Sequence, residues 1–419
     1  MVGIVEYGAD SFPGEEGERE PTQIDRGAGL RRGALEVVDS AQGHGGNVDH
    51  AGQFGDVAPV ESHRQLPESP GRRRRQKGEA QAGAQRHRSA QHDAGQESSL
   101  HGPVIVHPGT DFHRFRLVAE ARLRGLDWVP YAARVRIDQI LVSGVPAFSF
   151  EFFPPKTDKG SANLLQTIED LKALGPSFVS VTYGAMGSNR GQVVELVRQI
   201  KNDLGVEAMA HLSCTGHTRE ELEGVLDQLG GVGIENVLAL RGDPPKGEEF
   251  RPVPGGFAHA SDLAAMIRER GSFCVGGAAY PEVHPDAPDV ETDLANLVTK
   301  VRAGVAFLIT QLFFSNADYF DFVARARAAG IEVPIVPGIM PITDVGQVKR
   351  FTAMCGARIP AELLSALEEA DGDAEAVLQI GVDHAVAQCR ELLAKGAPGA
   401  HFYTLNRSPA TRRILTALL

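Results

Sequence analysis

The sequence predicts an α/β protein built as a (β/α)8 TIM barrel with extra helices before the eighth strand. Two observations lead there. From Phe148 onward, eight short β-branched or aromatic runs alternate with amphipathic helical patterns. Such alternation implies parallel strands joined by right-handed crossovers, closing into a barrel. In addition, no GxGxxG follows the first strand run, which weighs against the runner-up, an open doubly wound sheet.

The strand runs fall at 148–153, 178–183, 207–214, 236–240, 273–280, 307–313, 333–339 and 400–405. Helical patterns at 163–174, 191–204, 219–229, 262–270, 290–303, 318–329 and 345–355 lie between them. Thr218, with Glu221 three residues on, forms a start signal for the third of these. Two further helices, around 360–370 and 374–394, precede the last strand, and 409–418 closes the chain. Gly271, Gly304, Gly330 and Gly356 stand where helix C-caps are expected.

The 419 residues carry a formal charge of −12, which argues against a protein that coats nucleic acid or an anionic membrane. No apolar run approaches the ~20 residues of a membrane helix, and no basic-then-apolar secretory signal opens the chain. Cys214, Cys274, Cys355 and Cys389 are far apart with no CxxC, as expected of reduced thiols in a cytoplasmic protein. No cluster has metal-ligand spacing: Glu282 and His284, at i and i+2, face opposite sides of a strand.

Residues 1–134 read differently from 135–419. The first segment is rich in Gly, Arg, Gln and His, lacks a sustained apolar period, and contains Arg72-Arg73-Arg74-Arg75. Three readings stand: a disordered tail, a nucleic-acid or anionic patch, or a translation from an upstream start, with the true start near Val135. On any of them, 135–419 is the barrel, with a short leading helix.

Active sites of such barrels lie at the C-terminal strand ends. Here those ends carry Glu151, then Thr182 and Tyr183, His211, Arg241-Gly242-Asp243, Tyr280 with His284, Gln311, Pro337-Gly338, and Tyr403 with Arg407. Each has a plain structural reading. His211 is readable as a packed histidine, Arg241 and Asp243 as a pair, Gln311 as a partner for backbone, and Phe313-Phe314 as core. Glu151 is the hardest to dismiss. It alternates with Phe150 and Phe152 and so faces the barrel interior, where apolar surroundings favour a protonated carboxyl able to act as a general acid. Its structural alternative is a buried salt bridge to Arg241 or Arg407.

The motifs FSFEFFPP, SVTYGA, AHLSC, ALRGDPP, AAYPEVHP, ITQLFF, VPGIMP and HFYTLNR, spread over about Ile137 to Leu419, resemble those of the bacterial FAD-dependent 5,10-methylenetetrahydrofolate reductases. The resemblance implies ping-pong reduction of methylenetetrahydrofolate to 5-methyltetrahydrofolate, with NADH or NADPH as donor, supplying methyl groups for methionine synthesis. It implies Glu151 as the general acid that opens the substrate to an iminium ion, and Asp243 as the carboxylate by flavin and pterin. It implies FAD contacts from Thr182, Tyr183, Ala185, His211, Arg241, Gly242, Asp243, His259, Ala260, Tyr280, His284, Ala287, Asp293, Asn296 and Lys300. Asp293, Asn296 and Lys300 share one helix face by their spacing. Gln311, Gln347, Phe351, Tyr403 and Arg407 would hold folate and nicotinamide in turn.

His259-Ala260 stands where the family often has Tyr-Ala, so a histidine would pack on the adenine end. The resemblance further implies a folate small-molecule substrate, no nucleic acid or membrane partner, a cytoplasmic homo-oligomer, and no inhibition by S-adenosylmethionine, since no regulatory domain follows the barrel. Rival readings are another FAD-dependent barrel oxidoreductase such as a proline dehydrogenase-like enzyme, a colourless barrel lyase or methyltransferase, and an RNA-binding role for the Arg-rich segment.

Overall fold

The computed structural model describes residues 136–419 except 156, 184–189, 245–247 and 408. The expectations for residues 1–134 and for Ala185 lie outside the described residues.

Eight parallel strands close into a barrel in sequence order. They are β1 (Ala147–Phe152), β2 (Phe178–Val181), β3 (Ala208–Ser213), β4 (Asn236–Leu240), β5 (Cys274–Ala279), β6 (Phe307–Leu312), β7 (Ile335–Ile339) and β8 (Gly399–Tyr403). Closure is made by β8 beside β1, with Ala147 opposite Gly399 and Glu151 opposite Tyr403. The helices are α1 (Ile137–Leu141), α2 (Asp158–Lys172), α3 (Arg190–Arg198), α4 (Arg219–Gly231), α5 (Ala260–Glu269), α6 (Val290–Arg302), α7 (Asn316–Ala328), α8 (Val345–Cys355), α9 (Ala361–Glu369), α10 (Ala374–Ala394) and α11 (Pro409–Leu418).

Most expected elements are present with ends moved by one to five residues. The third strand is shorter than expected, and α2 begins at Asp158, capped by the Thr157 hydroxyl. The pattern at 191–204 resolves into α3 and a π-helical turn, Gln199–Asp203. Thr218 and Glu221 do form a reciprocal capping box on α4, a device that contributes about 1 kcal/mol. Gly271, Gly304, Gly330 and Gly356 all adopt positive φ at helix ends, the left-handed conformation that a side chain resists.

Period-two alternation divides each strand between two apolar layers. Phe148, Phe150 and Phe152 of β1 pack outward in the layer that holds Leu164, Ile168 and Leu171 of α2. The inner layer includes Ala147, Phe178, Met209, Leu238, Cys274 and Phe307. It is continued by Ile137, Ile140 and Leu141 of α1, all buried. The Ile137 N–H donates to Asn236 Oδ1 at 2.9 Å. Asn236 opens β4, so α1 lies across the N-terminal end of the barrel, and the opposite end is left for chemistry.

Candidate active site

Two polar side chains of β1 face the barrel interior between outward phenylalanines: Ser149 and Glu151, both fully buried. Parallel pairing sets Ser149 opposite His401 of β8 and Glu151 opposite Ser180 of β2. Side chains on adjacent strands then meet. Ser149 Oγ lies 2.8 Å from His401 Nδ1, and His401 Nε2 lies 3.3 Å from Glu151 Oε2. Thr182 donates from Oγ1 to Glu151 Oε1 at 3.4 Å. The Thr404 hydroxyl donates to the Glu151 carbonyl at 2.6 Å.

This chain of groups can satisfy either protonation state of Glu151. A protonated carboxyl donates to His401 Nε2, and Nδ1–H then donates to the Ser149 hydroxyl oxygen. An ionised carboxylate accepts from Nε2–H, and the Ser149 hydroxyl then donates to Nδ1. A hydroxyl is the partner that allows both, because it can give or take a hydrogen bond. Buried polar groups left unpaired are costly, and this arrangement leaves none of the three side chains unpaired in either case.

His211 of β3 completes the cluster. Its Nε2 lies 3.5 Å from Glu151 Oε2, yet neither ring nitrogen makes a hydrogen bond. Burial, with His401 adding and Glu151 opposing, lowers its pKa to about 4. His211 is therefore uncharged near neutrality and supplies no fixed cation to Glu151. The expected structural alternative, a salt bridge from Glu151 to Arg241 or Arg407, is not formed. Among the described residues the side-chain partners of Glu151 are Thr182, His211 and His401. The reason is placement: both arginines lie past their strand ends, whereas Glu151 sits inside the wall.

A second cluster lies at the ends of β4 and β5. Arg241 donates to Asp286 at 2.8 Å, while Asp243 is 3.9 Å away. The expected Arg241–Asp243 pair is thus the weaker of the two, and Asp243 stays partly exposed. The guanidinium also covers the Phe250 ring at 5.0 Å. Gly242 adopts φ 80°, and a Cβ there would collide with the Thr215 hydroxyl, so the turn requires glycine. His284 packs on Tyr280 with ring centroids 4.5 Å apart. Burial, aided by Arg241 and Lys300, lowers His284 to about 4.

Helix α6 supplies two more members of this cluster. Asp293 accepts the His284 N–H at 3.1 Å, and burial raises its pKa. Lys300 donates to the Ala278 carbonyl at 2.8 Å, and burial lowers the ammonium to about 8. Asn296 of the same helix is exposed, and Ala287 is half-buried after the His284 turn. His259 is the N-cap of α5, with its N–H donating to Asp262 Oδ2 at 3.1 Å, and Ala260 is the first helical residue.

Around β6 to β8, Tyr403 is buried and its hydroxyl donates to the Thr310 carbonyl at 2.6 Å. Burial, then the Glu151 charge, pushes that phenol well above its ordinary value. Gln311 is buried beside an irregularity in the β6–β7 register, and its Oε1 accepts the Leu312 N–H. Its reading as a partner for backbone is therefore met. Phe351 is buried and Gln347 half-buried on α8, and Arg407 is exposed at the rim. Phe313 and Phe314 are both core. Tyr183 lies 3.2 Å by its hydroxyl from His217 Nε2.

Sequence reasoning missed Ser149, His401, Asp286 and His217. The first two carried a signal. Ser149 alternates with Glu151, and His401 with Tyr403, so each shares the inward face of a residue already singled out. The third lies in a loop, where periodicity gives no direction.

A family model described as methylenetetrahydrofolate reductase matches residues 136–419. A relative from Escherichia coli (strain K12), 5,10-methylenetetrahydrofolate reductase, is 39% identical over 277 residues, covering 66% of this chain and 92% of that protein. Methylenetetrahydrofolate reductase (NADH) 1 of Arabidopsis thaliana is 41% identical over 295 residues, covering 68% of this chain and 50% of that protein. Methylenetetrahydrofolate reductase 1 of Schizosaccharomyces pombe is 38% identical over 274 residues, covering 65% and 45%. The chain therefore spans about half the length of the plant and yeast relatives and nearly all of the Escherichia coli one.

Proposed function

The chain belongs to the methylenetetrahydrofolate reductase family, and on that premise we propose that it reduces 5,10-methylenetetrahydrofolate to 5-methyltetrahydrofolate with FAD as cofactor and NADH as donor. The plant relatives are named as NADH enzymes, which supports that donor. Residues 135–419 are proposed as the catalytic unit, with residues 1–134 dispensable for turnover. The methyl group produced would serve methionine synthesis.

The observation that carries the reading is the position of Glu151. It is a fully buried carboxyl inside the barrel wall, with two histidines and a threonine at its oxygens. A group so placed has little structural use, since no Lys or Arg among the described residues pairs with it. As a general acid it donates its proton to a folate nitrogen, opening the five-membered ring to an iminium ion. In the tautomer that carries its hydrogen on Nε2, with the Ser149 hydroxyl donating to Nδ1, His401 would hydrogen-bond the resulting carboxylate. Asp243, partly exposed past β4, would set a negative charge beside the developing cation, since Arg241 lies closer to Asp286, at 2.8 Å, than to Asp243, at 3.9 Å.

The residues present fit a bound flavin. His211 offers two buried ring nitrogens without hydrogen bonds. Gly242 adopts φ 80° at the β4 turn, with the Thr215 and Ser213 side chains filling the place a Cβ would take. Arg241, Lys300 and Asp293 supply charge beside Tyr280 and His284. Thr182, Tyr183, His211, Arg241, Gly242 and Lys300 would hold the cofactor, which when bound supplies the hydride chemistry. Gln311, Phe351 and Arg407 would orient the folate.

The test is spectroscopic. The purified full-length chain is expected to show a yellow flavin band that bleaches with NADH and returns on adding methylenetetrahydrofolate. A colourless protein, or a bleached flavin that the folate leaves unchanged, would refute the proposal. Removal of residues 1–134 is expected to leave both responses intact.

A further inference from the structure

Where β8 ends, the backbone does something unusual for its residues. Leu405 has φ 52° and Asn406 has φ 59°, the two non-glycine residues with positive φ among those described. Two consecutive left-handed residues with side chains are unfavourable, and such strain persists where the surroundings over-determine it, commonly at functional sites. What holds it here is the Asn406 amide. Oδ1 accepts the Phe153 N–H at 2.8 Å, and Nδ2 donates to the Phe153 carbonyl at 2.9 Å. The side chain acts as one more rung of the β1–β8 ladder after the β8 backbone has turned away.

Phe153 has particular need of that rung. Pro154 and Pro155 follow it, and neither has an N–H to donate. Two residues earlier, Thr404 grips the Glu151 carbonyl through its hydroxyl at 2.6 Å and its N–H at 3.4 Å. The β8 exit therefore holds the β1 exit at both Glu151 and Phe153. The same left-handed pair ends in Arg407, whose N–H closes the turn onto the Thr404 carbonyl at 2.9 Å.

We propose that Asn406 is a positioning residue that fixes the strand carrying Glu151 relative to the loop carrying Arg407, and that it serves the folate step and not reduction of the flavin by NADH. The inference rests on the acid and substrate-holding roles proposed above. A residue acting only on stability would affect both half-reactions and flavin retention. A residue that sets the distance between acid and substrate anchor affects one, and a misplacement of about 1 Å can cost on the order of 100-fold.

The experiment compares the full-length wild type with Asn406→Gly and Asn406→Asp, measuring both half-reactions by stopped-flow absorbance. Glycine accepts the backbone angles freely and removes both hydrogen bonds; aspartate keeps the acceptor for Phe153 N–H. In Asn406→Gly, bleaching by NADH is expected to stay within about twofold of wild type. Reoxidation by methylenetetrahydrofolate is expected to slow about 10- to 100-fold, with a raised KM for the folate, unchanged flavin content, and partial recovery in Asn406→Asp. Equal slowing of both half-reactions, or no slowing of either, in a variant of an active wild type overturns this inference alone. A wild-type chain that ignores the folate overturns the functional proposal and this inference with it.

Discussion

His401 Nε2 lies 3.3 Å from Glu151 Oε2, between two side chains that are fully buried in the barrel interior. The contact crosses the seam where β8 meets β1, and Ser149 anchors the far side of the imidazole at 2.8 Å. A carboxyl held in this way has a hydrogen-bond partner both before and after it loses a proton.

Glu151→Gln is expected to retain flavin and its bleaching by NADH while losing reduction of the folate by about 10²- to 10⁴-fold, the usual contribution of a general acid. Stopped-flow measurement of the two half-reactions checks this. Full folate turnover in the variant would exclude Glu151 as the acid.

His401→Leu removes the shared partner of Ser149 and Glu151, leaving the buried Ser149 hydroxyl without that bond and Glu151 Oε2 without its imidazole hydrogen bond. A cost of about 1–3 kcal/mol in stability is expected, read from urea unfolding. The folate half-reaction should slow while bleaching by NADH persists. A variant with unchanged stability and unchanged folate rate would show that the imidazole does not support the carboxyl.

Asp243→Asn takes away the negative charge beside the developing cation. The folate half-reaction is expected to slow more than bleaching by NADH does. Equal slowing of both would place Asp243 in flavin binding alone.

His211 has a pKa lowered to about 4, chiefly by burial, against an ordinary value of 6.5. Between those values the unfolded chain binds a proton that the native one refuses, so its contribution to stability rises with pH across this window and falls on acidification. Above about 6.5 the contribution is constant. His211→Asn is therefore expected to lose less stability than wild type between pH 6.5 and pH 4, measured as the shift in urea midpoint. Parallel pH profiles for the two proteins would refute the assignment.

Much of the barrel was legible because its signals are local. The span Val345–Cys355 and the Thr218 start of α4 follow from residues within a few positions of one another. The inward direction of Glu151 follows from alternation with its phenylalanine neighbours, and burial agrees. The structure gathers Arg241, His284, Asp293 and Lys300 where β4 and β5 end beside α6; the cofactor roles that motif resemblance implies for them are proposals.

The sequence by itself determined the period and order of the elements, the face on which Glu151 lies, and the Thr218 start of α4. These are short-range consequences of chain geometry and side-chain size. Only the tertiary structure decided the partners. Glu151 was expected to meet an arginine if it met any charge, and it meets His401, 250 residues away, because closure of the barrel brings β8 against β1. Arg241 turned from Asp243 to Asp286, 45 residues away in a loop whose path no periodicity encodes. Asn406 found Phe153 across 253 residues, since a side chain can extend a ladder only after the two strands have been placed side by side.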